Sequence, residues 1–227
     1  YNIFIENCTA KSQLKRAFYI KGNVDRGGEV SHIRFRNLEF LDTTNEMFAI
    51  STDYGSDGFN YLPPYFHDIW VENVTATGPC TIGLNISGKP EKYVENIVFK
   101  DVVVNETLIV QEISNADKLY FQNLTIAEQS LDNTTNLPPD VFAGSEATIS
   151  AGGTVNIGGS VADDLKTAEQ LTYTWTVLEG DSSAVTFADA SAFKTTATIS
   201  TAGTYKLKVT ANDGELDGYH FVTITVN

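Results

Sequence analysis

The sequence predicts an all-β chain in two parts: coils of a parallel β-helix over residues 1–130 and a small β-sandwich over residues 139–227, joined by a linker at 131–138. Three observations carry this. Five segments of the first part share one apolar-x-apolar-x-Asn/Asp-apolar pattern, with no helical periodicity between them. A stretch rich in Asn, Thr and Pro then interrupts the pattern. Beyond it, short alternating runs are separated by Gly- and Asp-rich turns.

The five segments are residues 3–8, 33–38, 69–74, 97–102 and 119–124, and their starts lie 30, 36, 28 and 22 residues apart. Between them run second apolar strands at 17–21, 47–51, 81–86 and 108–113. A two-strand unit that recurs in this way and cannot bury its apolar face alone is the signature of a solenoid. Alternation at period two sends Ile33, Phe35, Ile69, Val71, Ile97, Phe99, Leu119 and Phe121 inward. The shared polar position, held by Asn7, Asn37, Asn73, Asp101 and Asn123, is expected to form a ladder at a bend, satisfying backbone groups that the turn leaves unpaired. Unequal spacing means unequal loops. The long ones, 22–30 and 52–66, are expected to emerge on one side, which is the working face.

In the second part, strands are read at 154–157, 171–177, 185–187, 196–200, 204–211 and 220–226. Trp175 is their expected core aromatic.

A chain of 227 residues with 42% hydrophobic and 19% charged side chains has room for two modest globular domains. No run reaches the length of a membrane span, and no signal peptide opens the chain, which starts at Tyr1 inside a strand pattern and is expected to be cut from something longer. Cys8 and Cys80 have neither a disulfide framework nor metal-ligand spacing and are expected to be buried, inert thiols. The net charge of −14 is unevenly spread: residues 1–36 hold seven of the fifteen cations against three acids, a local net charge of +4. A site for an acidic ligand is therefore expected at that end. Nucleic acid fits poorly, because no continuous basic face is legible. Six Asn-x-Ser/Thr sequons occur, at Asn7, Asn73, Asn85, Asn105, Asn123 and Asn133. Most are discounted, since three coincide with the ladder.

The most specific stretch is Tyr19-Ile20-Lys21-x-Asn23-x-Asp25-Arg26-Gly27-Gly28, followed by Val30 and Ile33-x-Phe35-x-Asn37. It resembles the C-terminal coils of family 28 glycoside hydrolases, the polygalacturonases. Pro64-x-Phe66-x-Asp68-Ile69-x-Val71-Glu72-Asn73-Val74, and Gly88-x-Pro90 before Val94-Glu95-Asn96-Ile97, are similar to that family's later coils in the same order. The resemblance covers residues 1–128 and implies a right-handed parallel β-helix that hydrolyses galacturonan with inversion. It implies that Lys21 contacts a substrate carboxylate. Tyr19 stands where the family's Arg-Ile-Lys motif has arginine, and the family's Asn-Thr-Asp, Asp-Asp and Gly-His-Gly motifs are absent. Inversion needs two carboxyl groups about 6.5–9.5 Å apart, and no such pair is legible.

From residue 137 onward, Leu137-Pro138-Pro139-x-Val141-x-Ala143-Gly144, Gly153-Thr154-Val155-x-Ile157, Leu171-Thr172-Tyr173-x-Trp175, and Gly203-Thr204-Tyr205 through Val209-x-Ala211-x-Asp213-Gly214 resemble PKD-like immunoglobulin-fold modules. Such modules are appended to secreted bacterial enzymes as spacers or weak binding units.

The expected substrate-binding residues are Lys21, Arg26, Tyr19 and Tyr54: two cations for sugar carboxylates and two rings for stacking. Tyr61 and Tyr65 are weighed with them as stacking rings, against a role in packing. Asp163, Asp164, Asp213 and Asp217 are read as turn acids, with a calcium cluster as the alternative. His32, His67 and His220 are read as structural. No cofactor or metal is implied, and no residue of this chain is expected to be catalytic.

Together these readings describe the C-terminal portion of a secreted or periplasmic pectin-degrading hydrolase. It binds acidic polysaccharide (galacturonan, pectin), neither nucleic acid nor membrane, and lies downstream of coils that carry the catalytic aspartates. Alone it is expected to be inactive. The alternative is a non-catalytic carbohydrate-binding or adhesive β-helix. A pectate lyase shares the shape, but the context of Lys21 argues against it.

Overall fold

The computed structural model describes residues 1–56, 58 and 60–227; Asp57 and Phe59, within the second long loop, lie outside the described residues. Apart from two single-turn 3₁₀ helices, Ala168–Gln170 and Ser182–Ala184, the regular structure described is β. The chain divides into two compact units, Tyr1–Thr135 and Asn136–Asn227.

The first unit begins with nine strands: β1 (Ile3–Ala10), β2 (Leu14–Lys21), β3 (Glu29–Phe40), β4 (Thr43–Ser51), β5 (Tyr65–Ala76), β6 (Cys80–Ser87), β7 (Val94–Val104), β8 (Thr107–Ser114) and β9 (Ala116–Ile126). Successive strands alternate between two sheets, ordered β1-β3-β5-β7-β9 and β2-β4-β6-β8. Each pairing among these strands is parallel. Parallel neighbours need a crossover, and here the crossover from each strand is the strand of the opposite sheet. The segments aligned by sequence are the pairing register itself. Ile3 pairs with Ile33, Ile33 with Ile69, Ile69 with Ile97 and Ile97 with Leu119.

The corner residues explain how one long strand turns without ending. Asn7, Asn37, Asn73, Asp101 and Asn123 have φ of 56°, 55°, 52°, 54° and 53°. That left-handed conformation costs most side chains roughly 1–2 kcal/mol and is tolerated best by Gly, Asn and Asp. Their amides bond one another: Asn37 Nδ2 donates to Asn7 Oδ1 at 2.9 Å, Asn73 Nδ2 to Asn37 Oδ1 at 2.8 Å and Asn123 Nδ2 to Asp101 Oδ1 at 2.7 Å. The expected ladder forms, but its rungs run side chain to side chain rather than to backbone. All five residues are exposed.

A second ladder, five residues earlier in each coil, escaped the sequence reading. Asn2, His32, Asp68, Asn96 and Lys118 have φ of 60°, 54°, 52°, 55° and 51°. Each rung of this sheet is therefore a short strand held between two left-handed corners.

Between the sheets lies the core. Ile33, Ile69, Val71, Ile97, Phe99 and Phe121 are buried as expected, while Phe35 and Leu119 are partly buried against it. Phe48 centres an aromatic column, 6.0 Å from Phe18 and 5.3 Å from Phe99, which lies 5.9 Å from Phe121. Each such side chain contributes about 1.5–3 kcal/mol of transfer free energy. The stack decides who is buried. Ile3, Phe4 and Ile5, in the terminal strand, are 45%, 47% and 39% exposed. For the same reason Cys8, expected inside, is exposed, and only Cys80 is buried.

The boundary between the two units, after Thr135, falls within the linker expected at 131–138, but the first residues of that stretch belong to the first unit. Gln129–Ser130 (β10) pairs antiparallel with β9. The Asp132 carboxylate accepts from Leu124 N at 2.8 Å, and Asn133 Oδ1 accepts from Phe121 N at 2.8 Å. These residues close the open edge of β9, whose donors would otherwise lack partners. Leu137, at 1% exposure, falls in the second unit, where its N donates to Asp164 Oδ1 at 3.1 Å.

The second unit comprises β11 (Asp140–Phe142), β12 (Ala147–Ile149), β13 (Gly153–Ile157), β14 (Ser160–Ala162), β15 (Thr172–Glu179), β16 (Val185–Phe187), β17 (Thr195–Ile199), β18 (Gly203–Asn212) and β19 (Asp217–Val226). A sheet β12-β19-β18-β15 and a sheet β13-β17-β16 enclose its core, with β11-β14 as a short pair. Trp175 is 3% exposed, and its indole donates to Ala192 O and Phe193 O, each at 3.2 Å. Tyr205 OH donates back to Thr201 O at 3.1 Å, pinning the start of β18.

Candidate functional site

The site is built on the outer face of the even-strand sheet, where β2 ends. Alternation turns Phe18 inward and Tyr19 and Lys21 outward. Beyond Lys21 the β2–β4 ladder continues into the loops: Gly22 N donates to Ser51 O at 3.0 Å, and Tyr54 N to Gly22 O at 3.1 Å. That step sets the Tyr54 ring beside Lys21.

The two long loops are laced together. Val24 N donates to Gly55 O at 3.1 Å, Leu62 N to Val24 O at 2.7 Å, Gly27 N to Leu62 O at 2.6 Å, and Ser56 Oγ to Asp25 Oδ2 at 3.1 Å. Two glycines of the motif have physical reasons. A Cβ at Gly22 would stand 2.7 Å from Pro64 Cγ, and at Gly27, with φ of 59°, it would stand 2.6 Å from Leu62 Cδ2.

The result is a cluster of cations and rings. Lys21 Nζ lies 3.3 Å from the Tyr54 ring centre and 5.5 Å from that of Tyr19, and the Arg16 guanidinium lies 4.5 Å from the Tyr19 ring. The two rings meet edge to face at 6.0 Å. Charge acts on the phenols in opposite senses. The Lys21 ammonium, by hydrogen bond and then by charge, holds the Tyr54 hydroxyl below the ordinary tyrosine value. Burial raises Tyr19, partly offset by Arg16 and Lys21.

Of the expected binding residues, the structure thus brings Tyr19, Lys21 and Tyr54 together and places Arg26, exposed, on the adjoining loop. Arg16 is the member that sequence reading missed. Five residues before Lys21, it has the parity of inward-facing Phe18 in strict alternation, and its Glu46 partner, at 2.7 Å, comes from the next coil.

The sheet continues the face in register. Lys21 pairs with Ser51, Ser51 with Ser87 and Ser87 with Ser114, so one ammonium and three hydroxyls form a row across four strands. Ser114 Oγ lies 3.4 Å from Ser87 Oγ, and Lys89 Nζ lies 2.5 Å from Asp53 Oδ2 beside the row. Among the described residues no carboxylate pairs with Lys21. A polar, hydroxyl-lined strip with a cation and flanking rings is suited to a polyhydroxylated anion.

The other tyrosines go elsewhere. The Tyr61 hydroxyl is engaged by Glu91, which pushes it up to about 12. Tyr65 stacks on His67 with ring centres 4.2 Å apart, and burial followed by the Glu95 charge pushes its hydroxyl up to about 12. His67 sits between two carboxylates: Nδ1 contacts Asp68 Oδ2, and Nε2 lies 3.2 Å from Glu29 Oε1. Asp68 also accepts from Asn96 Nδ2, within the second corner ladder. His32 Nδ1 meets Ser31 Oγ at 3.0 Å, and His220 Nδ1 accepts from Ala143 N at 3.2 Å.

In the second unit, of the aspartates weighed for calcium, Asp163 and Asp213 serve their own turns, Asp217 the β18–β19 hairpin and Asp164 a distant backbone donor. Asp163 Oδ1 accepts from Leu165 N and Lys166 N, Asp164 Oδ1 from Leu137 N, Asp213 Oδ1 from Glu215 N and Leu216 N, and Asp217 Oδ1 from Asn212 Nδ2. The Lys166 ammonium reaches the Asp213 carbonyl. Among the described residues no group of three or more His, Cys, Asp or Glu side chains is arranged to hold a metal ion.

By fold the chain is an all-β protein whose second unit is an immunoglobulin-like β-sandwich. Residues 143–226 match the family model described as "K319L-like, PKD domain", so this unit is PKD-like. Among solved structures, the chain is similar to the PKD domain of human KIAA0319, at 20% identity over 40% of this chain and 81% of that one, with a TM-score of 0.34. It is likewise similar to the PKD domain from the KIAA 1837 protein, at 22% identity over 42% and 92%, with a TM-score of 0.34. The titin M3 domain is similar at 14% identity over 41% and 99%, with a TM-score of 0.29.

Proposed function

We propose that the first unit is the C-terminal part of a right-handed parallel β-helix from a secreted or periplasmic, polygalacturonase-like glycoside hydrolase, and that its Lys21 face binds acidic polysaccharide of the galacturonan type. In this reading the inverting hydrolysis is carried out by aspartates on coils that precede Tyr1. Those coils would also cover Ile3, Phe4 and Ile5. The PKD-like unit is then an appended module. The observation that carries the reading is the Lys21 ammonium, held over the Tyr54 ring at the head of the Ser51–Ser87–Ser114 row. Two parallel sheets linked by successive crossovers support the β-helix.

Titration calorimetry of the chain with oligogalacturonate and with a neutral galactose oligomer tests the binding. The acidic oligomer is expected to bind, more weakly as salt rises, and the neutral one to bind at least tenfold less well. Equal affinity for the two, or hydrolysis by the 227-residue chain alone, contradicts the reading.

A second reading, a non-catalytic carbohydrate-binding or adhesive β-helix, is favoured by one observation: Glu46 and Asp53 beside the strip are engaged by Arg16 and Lys89. An ion-paired carboxylate is poorly suited to proton transfer. Restoring upstream coils separates the two readings by the appearance or absence of hydrolysis.

A further inference from the structure

The functional reading leaves the six sequons unused, and the fold sorts them. Asn7, Asn73 and Asn123 stand in the exposed corner ladder with their amides bonded to neighbouring rungs. Asn133 is a cap that donates to Leu119 O at 2.9 Å while accepting from Phe121 N. Asn85 is half-buried in the middle of β6, paired with Ala49 on one side and Glu112 on the other. A sugar on Asn7, Asn73, Asn123 or Asn133 would compete with contacts that hold a coil or its edge, and Asn85 lies within a strand flanked on both sides.

Asn105 differs on each count. It is exposed, in the turn between β7 and β8, and belongs to neither the ladder nor the cap. Its backbone is fixed, since Asn105 N donates to Ala76 O at 3.1 Å. Thr107, which completes the sequon, opens β8 and donates from Oγ1 to Ile109 O at 2.8 Å.

The surroundings supply an independent observation. Among the described residues β8 is the outermost strand of its sheet and pairs with β6 alone, whereas β9 of the opposite sheet is closed by β10 and its caps. On β8 itself, Leu108 is 84% exposed and Ile109 and Ile113 are 40% and 38% exposed. A cleft of about 440 Å³ lined by Pro79, Asn105, Leu108 and Ala127 opens there. An edge strand with exposed apolar side chains invites pairing with other chains unless something covers it.

We propose that Asn105 is an N-linked glycosylation site and that its glycan covers this open end of the four-stranded sheet. In the transfer, Asn105 Nδ2 attacks the anomeric carbon of a lipid-pyrophosphate-linked oligosaccharide. The new C–N bond forms as the C–O bond to phosphate breaks; the lipid pyrophosphate leaves with the bonding pair, and one amide proton passes to a base of the transferase. The inference rests on the exported location of the preceding reading and is independent of its substrate.

The test imposes export, so that the two can fail separately. The full chain behind a secretion leader is produced in a eukaryotic host, and sequon occupancy is read by peptide mass spectrometry after enzymatic deglycosylation in heavy-oxygen water. Secreted and retained pools are both measured. Asn105 is expected to be occupied in most molecules, with Asn7, Asn73, Asn123 and Asn133 unoccupied in the secreted pool. Thr107→Ser keeps the modification, and Asn105→Gln removes it. Unmodified Asn105 in both pools, or ladder asparagines occupied as fully as Asn105, overturns the assignment. Sedimentation tests the covering: Asn105→Gln is expected to self-associate at severalfold lower concentration than the glycosylated chain, and identical association overturns that part.

Discussion

The two units solve the same problem, burying one face of a sheet, in opposite ways. In Asn136–Asn227 the antiparallel pairings β15–β18 and β18–β19 close with their partner sheet around one interior, and Trp175 touches it from its middle. In Tyr1–Thr135 each strand leans on the coil before and after it, so burial is a property of position in the stack. The same pattern residue is 45% exposed at Ile3, 4% at Ile33 and 0% at Ile69. A closed sandwich concentrates its stability, whereas a stack of parallel strands distributes it among neighbours.

The largest expected effect tests the concentrated side. Trp175→Ala should cost about 3–5 kcal/mol, the range for emptying a large aromatic from a core. Trp70 then remains as the reporter of the first unit, since the chain has two tryptophans. In urea denaturation its transition should stay in place; a shift of the Trp70 transition would show that the units do not unfold independently.

Next comes the ladder. Asn37→Ala removes a residue that both donates to Asn7 and accepts from Asn73, and puts alanine at φ of 55°. The rungs are exposed, so water replaces much of the hydrogen bonding. The left-handed corner carries most of the expected loss of about 1–2 kcal/mol. Asn37→Gly should recover most of it. Asn7→Ala, at the open end of the stack, should cost less than half as much, and amide exchange should be fastest through β1. Equal losses at the two positions would contradict the stack as the source of stability.

Lys21→Ala should lower oligogalacturonate affinity about tenfold, near 1.4 kcal/mol, with the fold intact. Its spectroscopic signature is independent of ligand. Without the ammonium, Tyr54 should titrate at higher pH than in the parent, back toward an ordinary tyrosine, because Lys21 is the first cause of its lowered value. Tyr61 and Tyr65, each near 12, should remain protonated after Tyr54 has ionised. An unchanged Tyr54 titration would remove Lys21 from the cluster.

The smallest effect is expected in the charge ladder on the odd-strand sheet, where Arg36 bridges Glu6 at 3.5 Å and Glu72 at 3.2 Å, and Lys100 meets Glu72 at 3.2 Å. These pairs are partly exposed, and Arg36→Gln should cost about 0.2–1 kcal/mol, less at high salt. A loss above that range would mark the ladder as a structural element.

The register of the first unit was legible because one residue type, Asn or Asp, is required at one corner of each coil, and a steric requirement leaves a visible repeat. The second corner was harder to read. His32, Asp68, Asn96 and Lys118 share a backbone conformation and no common side chain: Asp68 bonds both His67 and the next corner's Asn96, while His32 meets Ser31. Of the site, Tyr19, Lys21 and Tyr54 could be named from the motif and the loop. Arg16 could not, since its orientation depends on Glu46 of the following coil.

Local chemistry by itself determined the paired strands of the first unit, six of the second unit's nine strands (not the three-residue β11, β12 and β14), their alternation, the Asn corners and the change of architecture near residue 136. These follow from period-two patterning and from the few residues that tolerate a left-handed backbone. Tertiary structure alone decided which copies of the repeat are buried, that residues 129–133 close an edge of the first unit, and that Cys8 faces solvent. Those outcomes depend on what lies in the next coil, and a side chain's burial is set by neighbours distant in the chain rather than by its own pattern.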